Sequence, residues 1–457
     1  MNETIQSLEI QLNTLMTDPQ VDLLRKIDVM NDLAWQLRHV DPQRALALSQ
    51  AAYDLAQSQD YPRGQLHSLR NLTALNTYIF PDYDSALSWA SQALAQLDSY
   101  PDALIHAHLL ESMAAIHADM GDYPTAQAYL IQALKLCREA GNRQTESMLL
   151  NDLGNLDYRT GDFQRGLESF EQALQIAQTD GDLDMQARLL NNIGDLLNHL
   201  ERHEEAFPYL ERALALSQQL GTRKFLANVL DSLSAVYAAR HNDEQALEYL
   251  QRACELAGEF DDSRMQAEFL RNIARIYQRR QTIEPALDYA HRALTSAEAA
   301  KSKPEVFACH QLLAELYEMR HAPEQALFHY KQFHAVKEEV FNEQSDQKLK
   351  TLRAIHDTET ARQEAEIYRL KNVELQAALD KVKQLSGLLP ICSNCKKIRD
   401  DDGYWHDVAT YIRDHSEADF THSMCPSCYE KLYPESFKKR TTGQLAQPQK
   451  KSDATGP

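Results

Sequence analysis

The sequence predicts an all-α protein: a long helical solenoid, a connecting helix, and a small cysteine module at the C-terminal end. Three observations carry this. Apolar and small residues recur every 40 positions over most of the 457-residue chain, glycine and proline are scarce at 14 and 15, and four of the seven cysteines form two C-x2-C pairs. A regular period of that length marks stacked units that share a continuous core. A chain this long also exceeds one ordinary core.

The repeat is legible as columns. An apolar anchor stands at Met113, Leu153, Ile193, Leu233, Ile273 and Leu313. Thirteen residues after each comes a small residue: Ala126, Gly166, Ala206, Ala246, Ala286 and Ala326. Seven further on stand Ala133, Ala173, Ala213, Ala253 and Ala293, with Phe333 breaking the column. Earlier copies are looser, with Thr73, Ala86 and Ala93 in one and Leu33, Ala45 and Ala52 in the first. Each unit therefore reads as two helices joined by a short turn such as Gly121-Asp122-Tyr123. The second helix has apolar spacing of three and four, and its small residues let the helix pair cross closely. Tyr237, Tyr277 and Tyr317 read as packing residues, and Cys137, Cys254 and Cys309 as isolated thiols within repeats.

The unit Leu150, Leu153-Gly154-Asn155, Tyr158, Gly161-Asp162-Phe163, Gly166, Phe170, Ala173 resembles a tetratricopeptide repeat. The resemblance extends over residues 25–335 as about eight repeats, within a solenoid domain at 1–335. Its period of 40 exceeds the usual length of about 34, so helices or turns must be longer. The resemblance implies a concave groove that binds a protein or peptide. It puts Asn151, Asn155, Asn191, Asp195, Asp231, Arg271, Arg275, Gln311 and Glu315 on the groove face. Asparagine amides suit this role because they both donate and accept.

Residues 336–387 read as one long helix. No glycine occurs before Gly387, and Glu, Lys, Gln, Ala and Leu dominate. Leu349, Leu352, Ile355, Ile367, Leu370, Val373, Leu375, Leu379, Val382 and Leu385 fall near heptad spacing, which predicts a homodimeric coiled coil. The alternative is a single helix that packs back on the last repeat. The stretch from Glu364 to Glu374 resembles the segment that joins tetratricopeptide sensor regions to output domains in bacterial signalling proteins.

The output position, 388–436, holds Cys392-Ser-Asn-Cys395 and Cys425-Pro-Ser-Cys428 separated by 29 residues. Each pair can direct two thiolates at one ion, and two pairs complete the tetrahedral set of a structural Zn²⁺. A turn at Asp400–Gly403, a helix from Val408 and a helix opened by Cys425-Pro426 predict a treble-clef-like module stabilised by that zinc. His406, His415 and His422 are not needed as ligands. The stretch resembles a module at the C-terminus of bacterial regulators. The tail, 437–457, carries Lys438, Lys439, Arg440, Lys450 and Lys451 and reads as disordered.

Composition narrows the function. The net charge of −20 disfavours nucleic acid, and the cysteine module itself holds five basic against nine acidic residues. No signal peptide and no membrane span is expected, which favours a cytoplasmic setting where paired cysteines serve metals. No phosphate-binding loop, dinucleotide fingerprint or nucleophile elbow occurs, so no enzymatic activity is expected. The reading is a signalling adaptor that binds a protein or peptide and couples it through a coiled coil to the zinc module. The alternatives are a thiol or zinc redox sensor using the two pairs, and a nucleic-acid-associated regulator.

Overall fold

The computed structural model describes residues 3–17, 22–383, 390–400, 402–415, 420–421 and 423–434. The chain divides into two compact units, Met1–Arg362 and Gln363–Pro457. The first holds α1 (Glu3–Thr17), α2 (Leu23–Leu37), α3 (Pro42–Ser58), α4 (Pro62–Tyr78), α5 (Tyr83–Leu97), α6 (Ala103–Asp119), α7 (Tyr123–Glu139) and α8 (Arg143–Thr160). It continues with α9 (Phe163–Asp180), α10 (Leu183–His199), α11 (His203–Leu220), α12 (Arg223–Ala239), α13 (Asp243–Glu259), α14 (Ser263–Arg279), α15 (Ile283–Ala299) and α16 (Lys303–Met319). The 61-residue α17 (Pro323–Lys383) runs on from the last repeat.

The 40-residue period is two steps of 20. A residue with left-handed backbone recurs at Gly121, Gly141, Gly161, Gly181, Glu201, Gly221, His241, Asp261, Gln281, Lys301 and His321. Between these positions lie helices of 17 or 18 residues, about 26 Å long. The excess over the usual repeat length is therefore in the helices. All of these turns but the one at Gly221 close the same way. The Asp122 N–H donates to the His117 carbonyl at 2.9 Å, and the Asp162 N–H to that of Asp157 at 2.9 Å. This pairing satisfies the end of one helix. Where that residue is Asp or Asn its side chain also caps the next helix, as Asp122 Oδ1 does by accepting from the Thr125 N–H, while Arg202, Thr222, Thr282 and Ser302 make no such bond. Where the left-handed residue is not glycine, as at His241 with φ 59°, the backbone carries a cost of about 1 kcal/mol that packing must offset.

The small-residue columns are where the helices of a pair touch. Ala126, Ala133, Ala206, Ala213, Ala246, Ala253, Ala286 and Ala293 are fully buried. Gly154 is required by closeness: a Cβ there would lie 2.5 Å from the buried Phe170 ring. Gly194 stands in the same relation to Leu210, at 2.4 Å. The tyrosines stack in register, Tyr237 on Tyr249, Tyr277 on Tyr289 and Tyr317 on His329, with centroids 5.4 to 5.6 Å apart.

Successive first helices also touch one another: α2 and α4, α4 and α6, α8 and α10, α10 and α12, α14 and α16. Second helices show no comparable pairing among the described elements, so they lie on the outer radius and the first helices line the concave side. The helix α1 covers the N-terminal end through Ile5 and Leu12. At the other end Leu327, Phe328 and Tyr330 of α17 remain exposed. Further along, α17 returns to the array. Thr351 is fully buried, and Ala354 and Ile355 pack with Tyr83 against Ala86, Leu87 and Ile116. The near-heptad stripe is thus divided: Ile355 faces the solenoid, while Leu349, Leu352, Ile367, Leu370, Val373, Leu375 and Leu379 are exposed. Val382 and Leu385 are not among the residues whose side chains are described.

The second unit contains a two-stranded antiparallel sheet, β1 (Ile398–Arg399) and β2 (Trp405–His406), with Ile398 opposite His406. Its turn ends at Gly403, φ +90°. Two short helices follow, α18 (Val408–His415) and α19 (Pro426–Leu432), the latter with proline in its first turn. Ile398 is its one buried apolar residue among those described. His422 and the basic tail lie outside the described residues. No described helix is long and apolar enough to cross a membrane.

Candidate ligand groove and cysteine module

The concave face carries polar side chains that cross from one repeat to the next. Asn192 Nδ2 of α10 donates to Asn151 Oδ1 of α8 at 2.9 Å. Asn272 Nδ2 of α14 donates to Asp231 Oδ1 of α12 at 2.9 Å. Both rungs span 41 residues, one more than the repeat. Asn191 donates to Asp195 at 3.2 Å. Arg271 pairs with Glu305 at 3.2 Å, and Gln311 donates to Glu315 at 3.1 Å. Asn155 and Arg275 are exposed. The sequence reading missed Asn192 and Asn272, the donors of both rungs. Their signal was present as polar residues one position after the expected groove column.

Acids in this face are enclosed enough to resist ionisation. Burial pushes the Asp195 carboxyl up to about 7, opposed by hydrogen bonds from Ser232 and Asn191 and reinforced by Asp231. Burial likewise moves Asp231 up to about 6, against the pull of its Asn272 bond. Asp152 is raised by burial and by the neighbouring Glu111.

At the N-terminal end the face changes sign. The Arg38 and Arg70 guanidiniums lie 4.1 and 4.0 Å from the Trp35 ring centroid, and His108 stands 5.1 Å from the same ring. Burial lowers Arg70 to about 10. These residues come from α2, α4 and α6, and no sequence spacing announced them. A histidine cluster was also missed. His310 and His329 are both buried with Nδ1 atoms 2.9 Å apart, and His291 Nε2 meets the Tyr317 hydroxyl at 2.9 Å. Burial lowers His329 to about 4, helped by His310 and His291.

In the cysteine module each pair is closed on itself. The Cys392 sulfur accepts backbone N–H groups of Cys395, Asn394 and Lys396, which holds its thiol below the ordinary range. The turn passes through Lys396 in the left-handed region, φ 62°. Cys425 opens α19 and contacts the Ser427 hydroxyl at 3.2 Å, and this bond with the Cys428 N–H lowers its thiol to about 7. All four are free, and three are exposed. Each knuckle has the form that presents thiolates to a soft ion. Among the described residues the two pairs do not converge on a common point.

The family model for the tetratricopeptide repeat matches residues 105–179 and 185–259. The array is a tetratricopeptide solenoid. No curated protein matches the chain. Solved structures share the tetratricopeptide fold at low identity. A signal transduction ATPase with a tetratricopeptide repeat sensor from Pyrococcus horikoshii is 16% identical, with TM-score 0.53, covering 76% of this chain and 55% of that one. The apo form of RapI is 18% identical, with TM-score 0.51, over 61% of this chain and 99% of that one. Aspartyl phosphate phosphatase F from Bacillus subtilis is 14% identical, with TM-score 0.50, over 73% and 93%. At these identities the likeness is one of fold.

Proposed function

We propose that this chain is a non-enzymatic signalling adaptor that holds an extended protein or peptide segment along the concave face of its solenoid. The observation that carries the reading is the pair of inter-repeat amide rungs at Asn151–Asn192 and Asp231–Asn272. They hold amide and carboxyl groups at repeating intervals where a bound backbone can donate and accept. The exposed stripe from Ile367 to Leu379 supports a homodimer through α17. Selection of displayed random peptides on the full chain tests the groove. Binders should be enriched, and Asn151→Ala with Asn192→Ala and Asn272→Ala should weaken them at least tenfold. Equal binding by that variant would remove the groove from the reading.

The four cysteines are proposed to hold one structural zinc, whose binding would draw the pairs Cys392/Cys395 and Cys425/Cys428 together as its thiolate ligands. Elemental analysis should give one zinc per chain, and chelation should release exchange protection between 390 and 434 alone. A metal-free preparation with the same protection would refute it. A second reading, thiol sensing, draws on the exposed Cys425 and its thiol near 7. Peroxide would oxidise two thiols of a pair to a disulfide, releasing two waters. An unchanged thiol count and oligomeric state after mild peroxide would sink it.

A further inference from the structure

The rungs leave a gap. They join α8 to α10 and α12 to α14, but the junction between them, α10 to α12, has none. At that junction position 232 is serine where 192 and 272 are asparagine. Its hydroxyl is too short to copy the rung and bonds Asp195 instead. Asn191 Oδ1, the atom a rung would have reached, is therefore left with no hydrogen-bond partner. Asn191 is only 7% exposed, so solvent does little for it. A buried acceptor in this state costs about 1–3 kcal/mol. The other two such atoms among the described residues, Gln96 Oε1 and Thr222 Oγ1, lie on α5 and at the start of α12, away from the rung column.

The charge around Asp195 has one sign, whereas Asp231 has Arg271 near it and shares a pocket with Arg275 and Arg279. Asp195 is bonded by Ser232 and Asn191, and its nearest charged neighbour is Asp231. Arg271 approaches Asp231 but is held by Glu305. Tyr158 of α8 lies within the field of Asp195, its hydroxyl engaged by His199 at 2.5 Å. The site thus offers an orphan amide oxygen at Asn191 and, at Asp195, a carboxyl whose charged neighbour is another acid.

We propose that Asn191, Asp195 and Asp231 form a subsite for a cationic side chain of the groove ligand. This rests on the groove reading above. A guanidinium fits best, because its fork can bond the Asp195 carboxylate and, once the Asn191 amide turns toward the groove, its Oδ1 as well. An ammonium supplies the charge with less directional match.

The test uses peptides selected on the full wild-type chain and resynthesised in three forms. Arginine at the preferred position is kept, replaced by lysine, or replaced by citrulline, a neutral near-isostere. Wild type should bind the arginine form at least tenfold tighter than citrulline, with lysine between. Ser232→Asn mends the rung and occupies Asn191 Oδ1, and Asp195→Asn removes the charge. Both variants should still bind, with the arginine preference reduced to less than twofold. Equal binding of arginine and citrulline by wild type, or a preference untouched by both variants, overturns the subsite while leaving the groove reading intact. Failure to select any peptide overturns the groove reading and the subsite with it.

Discussion

Asp195→Asn should stabilise the folded protein in mildly alkaline solution while reducing its preference for a cationic ligand to less than twofold. The physical reason is a carboxyl that folding moves from 3.8 up to about 7, chiefly by burial. Its folded value lies above its unfolded one, so between these values the folded state binds more protons. Stability attached to this group is present in acid and lost as pH rises through about 7. At about 1.4 kcal/mol per pKa unit, full ionisation costs on the order of 4 kcal/mol. The residue keeps a minor exposure to solvent, and water relaxing there reduces this to roughly 2–3 kcal/mol. Asparagine keeps the shape and carries no charge. Urea unfolding followed by circular dichroism at pH 5 and pH 8.5 reads the difference. The variant should gain the larger part of its advantage at pH 8.5. A variant equally stable to wild type at both pH values, or destabilised at pH 8.5, would refute the assignment of a strained carboxyl at this site.

Other outcomes follow from single features. His310 and His329 are held neutral, their folded values below the ordinary 6.5, so their stabilising effect is complete above that pH and lost as pH falls toward 4. Exchange protection in α16 should fall over that range while α10 stays protected, and His329→Leu should flatten the dependence. Phe170→Ala should cost about 3–5 kcal/mol in urea unfolding, because the ring is buried against the space that Gly154 leaves. Ile355→Glu should release α17 from Leu87 and Ile116, exposing 346–357 to exchange with α10 unaffected. Unaltered protection there would mean the contact with the array is not what orders the segment.

The repeat and its two-helix unit are legible in the order of the amino acids. The columns at 113, 126 and 133 and their copies are local periodicities, and periodicity specifies which face of a helix is buried. It also showed that Gly154 and Gly161 belong to the repeat. The helices, the turns and the limits of the cysteine knuckles followed from such short-range rules. Tertiary structure alone decided which polar residues meet. Asn151 and Asn192 are 41 residues apart, so their pairing depends on how one repeat is rotated on the next, a quantity no column encodes. The return of α17 to Leu87 and Ile116 joins segments over 200 residues apart; the sequence left open a helix that packs back on the array, but on the last repeat rather than here. The orphan oxygen of Asn191 exists because a serine one atom too short stands at 232, and only three-dimensional packing turns that difference into a site.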